Sequence, residues 1–303
     1  MRIATSQYQT TMNISLQQNQ ERISYVNQQM STRQRILLPS DDPVDTVRMS
    51  RLRREESSVS QYRDNIGALK IRLTKNEAYM TSMVNDMIQG RDLLVWSSDG
   101  GNAPSDLAAM VQPLTALRES LFYTANTIDQ EGRYVFSGTQ TATQPIAYDA
   151  TAPAGSRYSY AGNTNDQNVV VGNGITQIAN GNMLGIETML NQLDLSIATL
   201  GTPGVTANDP ATRAVLSANL DGLDTALNLI SGKIAVLGGS QVILNTLDEN
   251  HSNVSLSNQM ALTDIAELDY GFAATELNGY TSALEATYKA YSKIGNLSLF
   301  AVL

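Results

Sequence analysis

Residues 59–87 read VSQYRDNIGALKIRLTKNEAYMTSMVNDM, and this stretch decides the fold class. Val59, Tyr62, Ile66, Leu69, Leu73, Asn76, Met80, Met83 and Met87 recur in it at alternating spacings of 3 and 4 residues. So narrow a stripe, sustained over several heptads, indicates a long helix packed as in a coiled coil. Further towards the N-terminus, Met12, Leu16, Asn19, Ile23, Val26 and Met30 repeat the pattern. A third run follows in Leu107, Met110, Leu114, Leu117, Leu121, Thr124 and Ile128. Near the C-terminus, Leu244, Leu247, His251, Val254, Asn258, Ala261, Ile265, Leu268 and Phe272 hold one frame. Leu277, Tyr280, Leu284, Tyr291 and Ile294 hold a second, and the slip near residues 273–276 reads as a stutter. At about 1.5 Å per residue, a helix over residues 43–98 would be roughly 84 Å long.

The break between the first two runs is Ser40-Asp41-Asp42-Pro43. This is a helix-capping motif, an Asx cap followed by proline at the first helical position, where a missing N–H costs nothing. Asp45 adds favourable charge to the first turn, and Pro39 stops the preceding segment. Paired aspartates could also serve catalysis or a metal, but no neighbouring His, Glu or glycine loop supports that. Asp209-Pro210 repeats the cap.

From Gly132 the chemistry changes. Gly132-Arg133-Tyr134-Val135-Phe136-Ser137-Gly138, Arg157-Tyr158-Ser159-Tyr160-Ala161-Gly162, Asn168-Val169-Val170-Val171-Gly172-Asn173-Gly174 and Ile175-Thr176-Gln177-Ile178 alternate aromatic or β-branched residues with glycine and asparagine turns. They predict a small hairpin-rich insert. Ile186, Leu190, Leu193 and Ile197 predict a helix over residues 186–200, and Gly201-Thr202-Pro203-Gly204 a linker.

The fold class expected is therefore mainly α. Both chain ends form a long antiparallel coiled-coil-like helix bundle, with a small inserted β-rich domain. Residues 1–40 and 271–303 would make a terminal coiled-coil domain, 41–136 and 206–270 a helical rod domain, and 137–205 the outer β-rich domain.

Composition narrows the chemistry. The 303 residues contain no cysteine and one histidine, which excludes thiol nucleophiles, cysteine-ligated metals and any site with two imidazoles. His251 falls on a seam, where packing is its natural role. No catalytic, cofactor-binding or metal-binding residues are assigned, and no cofactor is expected. The net charge of −9 argues against a general nucleic-acid binder. Residues 1–100 hold 13 basic and 11 acidic side chains, and residues 101–303 hold 7 and 18. There is no apolar core behind Met1-Arg2-Ile3-Ala4-Thr5 to suggest a cleaved signal peptide, and no unbroken apolar run to suggest membrane insertion.

The same residues resemble a known family, the flagellin-like proteins, and within it the subunits of the hook–filament junction. The resemblance rests on Arg2-Ile3-Ala4-Thr5-Ser6-Gln7, on Gln29-Met30-Ser31 through Arg35-Ile36 to Pro39-Ser40-Asp41-Asp42-Pro43-Val44, and on Gln61-Tyr62-Arg63-Asp64-Asn65-Ile66. Ala125-Asn126-Thr127, Gly132 through Gly138, Ala266-Glu267-Leu268-Asp269-Tyr270, Ala283-Leu284-Glu285-Ala286 and Leu297-Ser298-Leu299-Phe300 extend it over nearly the whole chain. Arg33 departs from it, standing where the family commonly has glycine, as does the Ala301-Val302-Leu303 end.

The resemblance implies an exported, non-catalytic structural subunit that joins the hook-associated ring to the flagellin filament. It implies localisation at the hook–filament junction and passage through the flagellar type III export apparatus with the chaperone FlgN. The partners implied are further copies of itself in a helical ring, the hook-associated protein FlgK and flagellin. The assembly interface expected is Ile23, Val26 and Met30 facing Leu277, Leu284, Tyr291 and Ile294, through desolvation of apolar stripes. The alternatives are a filament flagellin, against which Pro43 and the Ser-Leu-Phe ending weigh, and a wall-degrading enzyme on a helical scaffold, for which no cleft-forming motif exists.

Overall fold

A computed structural model describes residues 2–295, with side chains for residues 7–293. Its helices are α1 (Arg2–Thr32), α2 (Pro43–Ser97), α3 (Pro104–Ala109), α4 (Val111–Ala125), α5 (Ile186–Leu200), α6 (Pro210–Ala266) and α7 (Tyr270–Gly295). Four short strands, β1 (Ile146–Tyr148), β2 (Tyr158–Tyr160), β3 (Asn168–Gly172) and β4 (Ile175–Ile178), lie between α4 and α5. The chain divides into two compact units, residues 1–59 with 253–303, and residues 60–252. The three-part division expected from sequence places its boundaries elsewhere, at residues 40, 136, 205 and 270, so that residues 41–59 and 253–270 of its rod domain fall in the first unit.

In the first unit α1 and α7 run antiparallel. The Tyr270 hydroxyl donates to the Met30 carbonyl at 2.8 Å, and the Arg22 guanidinium lies 5.5 Å from the centre of the Tyr280 ring. Val26, Leu268 and Ala273 form the buried core there, with Met30, Leu277 and Tyr280 packed around it. A second small cluster, Ile36, Met49 and Ile265 with Leu52, Leu262 and Ala266, joins the start of α2 to the end of α6. The stutter expected near residues 273–276 is instead a helix break over residues 267–269. Asp269 caps α7 there, its carboxylate accepting the Gly271 and Phe272 N–H groups at 2.8 and 3.0 Å.

The second unit holds the main core. The α2 stripe packs antiparallel to α6, and rim pairs set the register: Arg63 with Asp248 at 3.2 Å, Gln241 with Glu77 at 2.7 Å, and Arg91 with Asp224 at 2.8 Å. Ile66, Leu69, Leu73, Met80, Met83 and Met87 are all buried, as are Leu107, Leu114 and Leu121 from α3 and α4. The helix expected to run unbroken from Leu107 is interrupted at Met110. Restarting at Val111 puts Pro113 in a first turn, where its missing N–H is tolerated. Ile128, expected on the seam, is exposed because the chain leaves α4 at Asn126. By contrast, α6 runs straight through Gly238-Gly239.

The insert contains two antiparallel hairpins, β1–β2 with Ile146 opposite Tyr160, and β3–β4 with Asn168 opposite Ile178. The β3–β4 turn is Asn173-Gly174, and Gly174 takes the left-handed φ of 70° that such a turn requires. The 132–138 run, expected as β, makes only isolated bridges, Ile128 to Tyr134 and Ser137 to Asn182. An 18-residue window in α6 has mean hydropathy 1.4 and is 17% buried, so α6 is long and apolar enough by length and composition to cross a bilayer, a property that core helices of soluble proteins share.

Candidate assembly surface

The connection from α1 to α2 is held by a network of hydrogen bonds. Arg33 ends α1 at φ 60°, the left-handed conformation that glycine adopts freely and arginine adopts at a cost of about 1 kcal/mol. The departure from glycine at this position therefore leaves the turn in place. The Arg33 carbonyl accepts the Leu268 N–H at 3.2 Å, and the Arg35 N–H donates to the Ala266 carbonyl at 2.9 Å. The Arg35 side chain donates to the Ile265 carbonyl at 3.2 Å and pairs with Asp42 and Asp45. Sequence reasoning missed this arginine as the hub of the connection, because its backbone acceptors, Ile265 and Ala266, come from the far end of the chain.

The capping motif divides its labour. Asp42 caps α2, its carboxylate accepting the Asp45 N–H at 3.0 Å. Asp41 serves the preceding turn, accepting the Leu37 and Leu38 N–H groups at 3.1 and 2.7 Å. Pro43 is the first residue of α2, whereas Ser40 takes no part in these bonds. The Leu38 N–H holds the Asp41 carboxyl below its usual 3.8, and the Asp45 N–H does the same for Asp42. Burial, and then the Asp41 carboxylate, pushes the Tyr25 hydroxyl on α1 up to about 12.

The seven residues expected at the assembly interface fall mainly on the α1–α7 seam of a single chain. Val26 is buried within it, Met30 and Leu277 pack against it, and Ile23 and Leu284 are half-buried. Tyr291 is exposed, and the Ile294 side chain lies outside the described residues. Of the six whose side chains are described, only Val26 is buried by intrachain packing, and the others keep apolar surface in solvent.

The insert is tied to the helices by polar clamps. His251 Nε2 lies 2.8 Å from the Val171 carbonyl, and its ring centre lies 5.5 Å from that of Tyr62. Asn65 donates to the Val170 carbonyl at 2.8 Å. The lone histidine thus pins β3 to the helices, a more specific role than packing on a seam. Asp194 on α5 is 1% exposed and accepts from Arg118 at 2.6 Å, Arg157 at 3.4 Å and the Gly155 N–H at 3.2 Å. The signal for it in sequence was a carboxylate on the apolar stripe of Leu190, Leu193 and Ile197. Beside it, the Phe122, Tyr148 and Tyr158 rings meet edge-to-face or tilted, with centres 5.1–6.3 Å apart. Burial raises the Tyr158 hydroxyl to about 12. These groups tie the insert to the helices.

Comparison with known proteins agrees with this arrangement. Residues 3–141 match the family described as the bacterial flagellin N-terminal helical region. The chain is 28% identical over 317 aligned residues to flagellar hook-associated protein 3 of Escherichia coli K12, covering 99% of both chains. A solved flagellar hook-associated candidate from Vibrio parahaemolyticus superposes with a TM-score of 0.67 at 28% identity, over 75% of this chain and all of that one. The flagellar junction protein FlgL of Legionella pneumophila shares the fold, with a TM-score of 0.58 at 13% identity over 72% of this chain and all of that one. With paired terminal helices, a capped turn between α1 and α2 and a hairpin insert, this chain is similar end to end to flagellar hook-associated protein 3, and over residues 3–141 to the flagellin N-terminal helical region.

Proposed function

We infer that the protein is a structural subunit of the bacterial flagellum, joining the hook-associated ring to the flagellin filament. The observation that carries this reading is the end-to-end similarity to hook-associated protein 3, with 99% of both chains aligned. The thinly covered α1–α7 seam supports it physically, since such a surface gains stability from neighbouring subunits. Ile23, Met30, Leu277, Leu284, Tyr291 and Ile294 would contribute to that contact, with Val26 holding the pair together within the chain. The subunit is non-catalytic, contacts copies of itself, FlgK and flagellin, and leaves the cell through the flagellar type III apparatus with FlgN. Its parts would be the terminal coiled coil, the helical rod and the outward β-rich insert.

Deletion of the gene tests this. The cells should carry hooks without filaments and shed flagellin into the medium. Filaments of normal length on the deletion strain would refute the reading.

A further inference from the structure

Beside α2, within the second unit, lies an open groove of about 620 Å3 whose chemistry the helix packing does not use. One wall carries Arg72, Lys75 and Asn76 from successive turns of α2, and the other Asp129, Glu131 and Arg133 from the loop after α4. The acids of that loop are already engaged. Asp129 accepts the Glu131 and Arg133 N–H groups at 2.8 and 2.9 Å, and Glu131 pairs with Arg133. Across the groove, Arg72 makes one hydrogen bond, to the Gln167 side chain at 3.3 Å; burial disfavours its charge, and the Asp129 and Glu131 carboxylates offset part of that cost. Lys75 is exposed and enters no ion pair among the described residues. The Asn76 side chain is 2% exposed, and its amide nitrogen has no partner. Buried donors without acceptors are rare and call for an explanation. Exposed Ile71 and Ile128 complete the lining.

A planar guanidinium, an ammonium one turn on and an orphan amide donor together fit a carboxylate, and the two isoleucines fit an apolar neighbour of it. We propose that this groove receives an acidic segment from a second copy of the chain. The charge distribution selects that occupant, because Arg72 and Lys75 lie in residues 1–100, which hold 13 basic and 11 acidic side chains. Residues 101–303 supply 18 acidic groups against 7 basic ones. The proposal rests on the assembly reading above and names a lateral contact for it, distinct from the α1–α7 seam.

Carbodiimide treatment of isolated flagella tests it, since the reagent joins a lysine amine directly to a carboxylate in contact with it. The expected product is a band at twice the 32.8 kDa chain mass, with Lys75 linked to an Asp or Glu of the second copy in its tryptic peptides. In flagella carrying Arg72→Met the yield should fall about tenfold, the loss of one charge-assisted contact, and Arg72→Lys should restore part of it. Flagella that contain the protein but show Lys75 unlinked, linked only to Asp129 or Glu131 of its own chain, or linked to another polypeptide overturn the groove assignment alone. Flagella that lack the protein overturn both this contact and the function on which it rests.

Discussion

The heptad stripe of α2 in the second unit and that of α1 in the first are written in the same pattern, yet they are buried to very different degrees. Ile66, Leu73, Met83 and Met87 of α2 have no exposed surface, whereas of the α1 stripe only Val26 is buried. The cause is the number of neighbours. The α2 stripe faces α6 and is closed over by α3, α4, α5 and the hairpins, whereas the α1 core is closed by α7 and the short α6–α7 connection. Because helix stability comes mostly from packing, the first unit should open more readily than the second. A terminal pair of that kind is suited to a subunit that completes its surface on assembly.

The strongest test of this contrast is a pair of truncations. Leu73→Ala should cost about 3–4 kcal/mol in urea unfolding, a cavity in a closed core, and Val26→Ala only about 1 kcal/mol. Equal costs would erase the distinction. Next comes Asp194→Asn, which leaves Arg118 and Arg157 without their shared carboxylate and should cost about 3 kcal/mol. Hydrogen exchange should then show α5 and the β1–β2 hairpin loosening while α1 and α7 are unchanged. Leu284→Asp should do the reverse, weakening incorporation into flagella while the second unit keeps its unfolding midpoint. The smallest effect belongs to the cap. Asp42→Ala should lower protection in the first turn of α2 without abolishing the fold. Because the Asp41 and Asp42 carboxyls titrate below their usual 3.8, their contribution is complete above that pH and lost as pH falls through the lower folded values. Protection of that turn should therefore decline in acid and stay level from mildly acidic to neutral pH.

The helical fold was legible because coiled-coil packing is a periodic, local constraint. Val59 through Met87, the 186–200 helix and both Asp-Pro starts are set by side-chain spacing and by the geometry of a helix's first turn. The site was less legible. The stripe on α1 shows that Ile23, Val26 and Met30 share a face, but not how much of that face a partner covers. Arg35, whose Ile265 acceptor lies 230 residues away, depends on contacts that no local pattern records. His251 looked like one more seam position until the hairpin at Val171 met it.

The absence of cysteine, the single histidine and the heptads were enough to describe a chain built from long paired helices with little room for catalysis. Tertiary structure decided which stripes are closed and which remain open, where Asp194 finds its arginines, and that Arg72 and Lys75 face an unfilled groove. The physical reason is that helix formation responds to neighbours three and four residues apart. Burial and charge pairing respond to whatever the fold brings within a few ångströms, from any distance along the chain.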